Sequence, residues 1–448
     1  MSIGNLSDRF DAPGTAIPDG ALSHAAVRVP GLDTMLMVAV VLACLVGAPL
    51  LEMVGVSYVR PGGSLVEKLH PSTYLIIAAL IRLLIGKGDV VAFVVRSWPE
   101  RKIEFLFLAT LCAVAILGVL RHGTGGLAYL IDAFITPVLL AILLGEVSAN
   151  TRARLFRTAL LLLTLNSAVG IIEATTHKSL IGFLQWAGEE FRASAFRGHP
   201  LENALATVPV VIVSFSLVAS GRGYLPTLIL GCLALLAFGG RAAAVFVALA
   251  IGALILIDTG RRLANRTLSV NRLVFYLIIV LAGPAAIAVV LATTGLGERI
   301  VSHFFLDTSA QVRIESLAIF RYISNSQLWY GVDNDAMANL MQSLTHIGVI
   351  ENFWIALIVN LGIYSVVILL AGFIPYLLKL MRQGDVYVAL AVLTFMLVAS
   401  TSNSLATKTT TLTLLTVLAI GYRDHMGQRQ VLQAGPTEEK EEEDAVTG

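Results

Sequence analysis

The chain has 448 residues, of which 56% are hydrophobic and only 14% charged, and its formal net charge is +1. Soluble domains carry about a quarter of their residues charged, so this composition describes an integral membrane protein. A balance so close to neutrality offers no electrostatic footprint for nucleic acid.

Residues 1–31 form a polar tail rich in Gly, Pro and Ala, expected in the cytoplasm. The tail has no early apolar stretch of the kind a cleavable secretory signal needs. A spanning helix requires about 20 apolar residues, because the hydrocarbon core is ~30 Å thick and the helix rises 1.5 Å per residue. Twelve segments meet or approach that length: 32–54, 72–86, 103–120, 126–147, 155–173, 201–220, 224–238, 241–257, 273–293, 352–378, 386–402 and 405–422. Backbone polar groups in lipid must be satisfied inside the segment. The expected architecture of 32–422 is therefore a single all-α polytopic membrane domain. Cys44, Cys112 and Cys232 each fall inside an apolar run. They read as small hydrophobes, with no metal motif and no disulfide framework. Residues 423–448 form an acidic cytoplasmic tail, and its run Glu438–Asp444 is expected to be solvated and disordered.

Lys and Arg collect on the cytoplasmic side of membrane proteins. With twelve spans and both termini inside, the inner connections carry Lys87, Arg96, Arg101 and Lys102, then Arg152 and Arg154, then Arg222. Arg261, Arg262, Arg266 and Arg272 follow, and Lys379 with Arg382 completes the set. This orientation puts the long polar segment 295–352 outside, on the periplasmic face of a bacterial inner membrane.

Three outer places gather residues able to do chemistry. Arg192 and Arg197-Gly198-His199-Pro200 stand before the sixth span, with Glu202 in its first turn, where a carboxylate suits the helix dipole. Gly239-Gly240-Arg241 joins two apolar runs. The first of them is only about 22 Å long at 1.5 Å per residue, so the junction is expected below the outer surface, where a guanidinium suits a pair of phosphate oxygens. The large loop supplies Arg313 on an amphipathic helix over 309–320, then His346 and Glu351, either able to take a proton from a hydroxyl. Asp333-Asn334-Asp335 has the form of a metal-binding DxD, but Gly331-Val332-Asp333 reads equally well as a turn, and no metal is expected.

In order, these features resemble the O-antigen ligase and Wzy-type polysaccharide polymerase superfamily. The likeness covers about residues 150–380 and runs through Arg197-Gly198-His199-Pro200-Leu201-Glu202-Asn203, Gly239-Gly240-Arg241, Arg313, Leu328-Trp329-Tyr330-Gly331 and Glu351-Asn352-Phe353-Trp354. The resemblance implies an inverting, metal-independent, cofactor-free glycosyltransferase of the GT-C type with twelve helices. Such an enzyme takes a glycan from an undecaprenyl diphosphate carrier and passes it to an acceptor hydroxyl. Arg241 and Arg313, supported by Arg197, would hold the diphosphate. His346 or Glu351 would activate the acceptor, with His199 a third candidate, because the family's usual His before the loop-closing Asn is Glu351 here. The favoured reading is an exopolysaccharide or O-antigen polymerase working beside a flippase and a chain-length regulator. A ligase acting on the lipid A core shares its donor chemistry. A secondary transporter or lipid-linked glycan flippase is the reading of another class, and it would call for related halves, which the sequence lacks.

Overall fold

The computed structural model describes residues 29–59, 64–123, 127–181, 191–293, 316–333 and 350–433. Among them the regular elements are helices, with no strand. In chain order they are α1 (Leu32–Leu45), α2 (Ala48–Met53), α3 (Pro71–Lys87) and α4 (Val90–His122). Helix α5 runs from Leu127–Leu130 through a π turn, Ile131–Ile135, into Thr136–Leu144. Then come α6 (Ala149–Thr176), α7 (Pro200–Ala219), α8 (Leu225–Ala237), α9 (Arg241–Ala264) and α10 (Val270–Thr293). After these follow α11 (Asn325–Tyr330), α12 (Phe353–Gln383), α13 (Val386–Ala399) and α14 (Thr411–Gln433). A helix occupies each apolar stretch read from the sequence. Helices α4, α6, α7, α9 and α12 are long and apolar enough to cross a membrane. The protein is a multi-pass α-helical membrane protein.

Helix α7 lies at the centre, buried along nearly its whole length. It is apolar on every side, as a helix enclosed by others must be. Elsewhere in the bundle, Phe107, Phe134, Phe373 and Tyr376 stack where α4, α5 and α12 meet. One end of the bundle is tied by ion pairs. Glu146 accepts from Arg101 at 2.5 Å and meets Lys87 at 3.0 Å. Lys379 reaches Glu104 at 2.6 Å, and Arg152 pairs with Asp424 at 2.5 Å.

Segment 316–333 is at the other end. Arg121, at the end of α4, stacks 3.8 Å over the Tyr330 ring, and Trp329 and Tyr330 lie 5.0 and 5.3 Å from Tyr364. From Arg101 to Arg121, α4 covers about 30 Å at 1.5 Å per residue, the thickness of a hydrocarbon core. Exposed Trp and Tyr mark membrane–water boundaries, and this cluster sits at the matching height. The first turns of α12 rise past it, where Ile355, Ala356 and Val359 make a small separate core with Ile319, Val332 and Ile350.

Three expectations are corrected in detail. The first apolar stretch is not one helix: it breaks at Val46–Gly47 between α1 and α2. The last begins at Thr411 rather than 405, leaving 400–410 as a polar loop. Residues Ser316–Arg321, expected to continue an α-helix, form a 3-10 turn.

Helix α12 also breaks, at Gly362, whose φ is +77°. A side chain there would fall into the backbone of Tyr330 and Gly331, so α11 is seated directly on the break. Val332 N–H donates to Val359 C=O at 2.8 Å across the same seam. Gly362→Ala should therefore lower thermal stability in detergent by about 2 kcal/mol or more and expose 316–333 to protease. Unchanged unfolding would contradict this seating.

Candidate functional site

At the loop end, the break in α1 leaves its last carbonyls without helical partners, as any helix terminus does. Arg197 fills that role. Its Nη1 donates to Ala43 C=O at 2.9 Å and to Thr410 Oγ1 at 2.9 Å, while Nη2 faces Glu202 at 3.8 Å. The residue is 5% exposed. Burial lowers the Arg197 pKa, and Glu202 opposes that shift. The fit is close: a side chain at Gly47 would strike the Arg197 backbone, and one at Gly198 would strike Pro49.

Two side chains of α6 hold the loop that carries Arg197. Glu173, fully buried, accepts from the backbone N–H of Ser194 and Ala195 at 2.8 Å each and from Leu180 N–H at 2.8 Å. Asn166 accepts from Phe196 N–H at 3.1 Å and donates to Asn203 Oδ1 at 2.9 Å. His199 ends the loop as the residue before α7. Burial, and then the charge of Arg192, lowers its pKa to about 4, so it is neutral at pH 7. Among the described residues, the Nε atoms of Arg192 and Arg197 are buried and meet no acceptor.

A second group forms beside the break. Asp132, 0% exposed in the π turn of α5, accepts from Tyr58 Oη at 2.8 Å, Thr73 Oγ1 at 2.6 Å and His70 N–H at 3.1 Å. It thereby caps the N-terminus of α3 from outside. The His70 ring bridges Val46 C=O at 2.7 Å through Nε2 and Ser72 through Nδ1. Ser72 N–H donates to that same Nδ1, which fixes the neutral tautomer. Two lysines close the group. Lys408 donates to Tyr58 C=O at 2.6 Å and sits 5.0 Å over the Tyr58 ring, while Lys68 donates to the adjacent Ser57 C=O. Burial, and then the neighbouring Lys68, lowers the Lys408 pKa.

Arg241 opens α9 on the far flank of α7. The backbone turns at Gly239, with φ +65°, and Gly240 is pressed against Ala204 of α7. Helix α8 has 13 residues, about 20 Å at 1.5 Å each, in line with a junction recessed below the surface. Glu351 precedes α12, where Asn352 caps the helix by accepting from Trp354 N–H at 2.9 Å. Trp354 Nε1 reaches Ser400 Oγ at 3.0 Å, and Phe353 N–H donates to Ser402 C=O at 2.9 Å, so Glu351 abuts the 400–410 loop. Arg197, His199, Arg241 and Glu351 thus lie at one end of the bundle. Arg313 and His346 lie outside the described residues.

Sequence reasoning missed Lys408, Asp132 and Glu173. An ionisable residue inside an apolar stretch was the available signal.

No family model matches the chain, and no curated protein matches it in sequence.

Two outcomes follow from this geometry. Arg197→Met should strand the Glu202 carboxylate and the Ala43 carbonyl, costing about 3–5 kcal/mol; solubilised protein should unfold earlier, and an unshifted melting curve would contradict the cap. His70 has a pKa of about 4 in the fold against an ordinary 6.5, because burial disfavours its charge. Between those values the unfolded chain binds a proton that the folded chain refuses. Stability present at pH 7 should be lost as pH falls from about 6.5 towards 4, and His70→Gln should flatten that slope.

Proposed function

We propose that the protein is a polysaccharide polymerase of the O-antigen ligase and Wzy-type superfamily, working at the outer face of a bacterial inner membrane. It transfers a glycan from an undecaprenyl diphosphate carrier to a sugar hydroxyl of a second glycan. The observation that carries this reading is the placement of Arg192, Arg197 and His199, in one loop, and of Arg241, at the start of α9, around the first turn of α7 at one end of a membrane bundle. Two of these guanidinium groups have a buried Nε with no acceptor among the described residues. Buried donors of that kind suit a charged ligand that arrives with its own acceptors.

In the reaction the acceptor oxygen attacks the anomeric carbon. The bond from that carbon to the diphosphate oxygen breaks, and the diphosphate leaves with the electron pair. Guanidinium groups preorganised at the leaving group stabilise that developing charge. Arg241 is assigned this role, supported by Arg192 and, through the shape of the loop, by Arg197. The hydroxyl proton passes to a base. His199, neutral at pH 7, and Glu351 are the described candidates. A diphosphate bound beside His199 would favour its protonated form.

The reading takes twelve spans with both termini in the cytoplasm, supported by the helices that occupy the apolar stretches and by the positive-inside rule. The ion-paired end holds Lys87, Arg101, Arg152, Arg262, Arg272 and Lys379. A lipid-linked glycan flippase is the second reading, favoured by the discontinuous α1 and α12, since transporters build their sites on broken helices.

Cells lacking the protein, complemented with wild type or Arg241→Ala, separate these readings. Long polymer should vanish and single carrier-linked units should accumulate in both the deletion and the Arg241→Ala strain, at unchanged membrane levels of the variant. Polymer that forms but stays off the lipid A core would indicate a ligase, and units trapped on the cytoplasmic leaflet would indicate a flippase. For the orientation, Ser326→Cys should react with a membrane-impermeant thiol reagent in intact spheroplasts; labelling only after lysis would invert the topology.

A further inference from the structure

Helix α4 is longer than the membrane it crosses. Its 33 residues make about 50 Å at 1.5 Å each. The stretch from Arg101 to Arg121 already fills a hydrocarbon core of ~30 Å, so Val90–Glu100 is in excess. A break at Arg101, with φ −122° and ψ 16°, separates this segment from the span. Pro99 contributes to the break, because it has no N–H to offer the carbonyl four residues back. Lys379 Nζ donates to the Glu100 carbonyl at 2.7 Å, and Arg101 Nη1 donates to the Ile142 carbonyl at 2.6 Å. These bonds pin the break to α12 and α5.

The excess segment does not stand out into water. Lys87, at the end of α3, and Arg101 meet the same Glu146 carboxylate, at 3.0 and 2.5 Å. The chain between them leaves one point of this end and returns to it. Phe93 is buried in the main core and Val94 packs against that core, so one side of the segment lies along the bundle.

Helical spacing divides the remainder into two sides. Val91, Val95 and Trp98 fall within about 60° of one another at 3.6 residues per turn. They are 72%, 67% and 52% exposed. Arg96 and Glu100, also exposed, fall on the other side. Trp98 stacks on Phe105 across the break, with ring centroids 5.9 Å apart and planes 6° from parallel. The apolar stripe therefore continues from the segment into the span.

A helix with an apolar side, a polar side and a tryptophan at the membrane boundary suits the plane of the interface, sunk about 5–10 Å between headgroups and acyl chains. We propose that Val90–Glu100 is a lipid-surface helix, resting on the phospholipids of the leaflet at the ion-paired end. Val91, Val95 and Trp98 enter the acyl boundary, while Arg96 and Glu100 stay in water. The partner is the bilayer surface itself, and the inference stands whether or not the protein is a transferase. The elbow fixes the height of α4 in the membrane. Sliding inward would drag Arg96 and Glu100 into hydrocarbon, and sliding outward would draw the apolar stripe into water.

The test places a nitroxide at Val95→Cys or at Arg96→Cys in the full-length protein, with Cys44, Cys112 and Cys232 replaced by alanine. The protein is held in nanodiscs of phosphatidylethanolamine and phosphatidylglycerol. Collisions with oxygen, which concentrates in lipid, and with a water-soluble nickel chelate report the depth of each label. Position 95 should favour oxygen and position 96 the chelate, so that the preference reverses between neighbours. A second readout needs no label. The emission of wild type minus that of Trp98→Phe should be quenched more by lipids brominated near the carbonyls than by lipids brominated at the chain ends. Free access of the chelate to both positions would mean a helix standing in water and would overturn the proposal. Shielding of position 95 from both reagents would mean that a protein surface, such as a second copy of this chain, covers the stripe, and would overturn it equally. Trp98 emission untouched by either brominated lipid would do the same.

Discussion

Everything at the functional end depends on how one guanidinium terminates one helix. Helix α1 ends at Leu45, and the backbone of Arg197 then lies so close to Gly47 that no side chain fits there. The carbonyl thus freed at Ala43 is satisfied by Arg197 and by Thr410 Oγ1. A charge buried to this degree persists only when paired and hydrogen-bonded, and Glu202 and Thr410 meet that requirement. Three segments, about 150 to 370 positions apart in sequence, are fixed to one another by these bonds.

The same logic recurs around this end. Glu173 and Asp132 are carboxylates inside helices whose partners are mainly backbone N–H groups and hydroxyls. Each shapes a loop: Glu173 the one carrying Arg197 and His199, Asp132 the entry to α3. Rigid positioning of this kind lets a membrane protein present cations toward a ligand without spending ligand-binding energy on ordering them. At the opposite end the charges meet each other across helices, which ties the bundle together.

Much of the bundle was legible in the sequence, since apolar length alone locates a helix in a membrane protein. Arg197, His199, Arg241 and Glu351 were legible as polar residues at the edges of such lengths. The break in α1 was not, because Gly47 stands between apolar neighbours and its reason for being glycine is a residue 150 positions away. Lys408 was absorbed into an apolar window that began too early. The hydroxyl-rich run Ser400–Thr413 was the missed sign of a loop. Asp132 and Glu173 disappeared for a related reason: averaged over a span, one carboxylate hardly lowers hydropathy, yet its burial cost makes it the most informative residue there. The structure also changes the meaning of Arg197. Read along the chain it was a surface cation near phosphate; in the fold it is a buried cap that places its neighbours.

The central claim is transfer between two carrier-linked glycans, and reconstitution tests it most directly. Purified protein in vesicles would be given a synthetic polyprenyl-diphosphate-linked repeat unit on the face that carries segment 316–333. The account predicts products of two, three and more units on a single carrier, with one free polyprenyl diphosphate released for each new linkage. Substrate that stays monomeric, or that moves intact to the other leaflet, would contradict it.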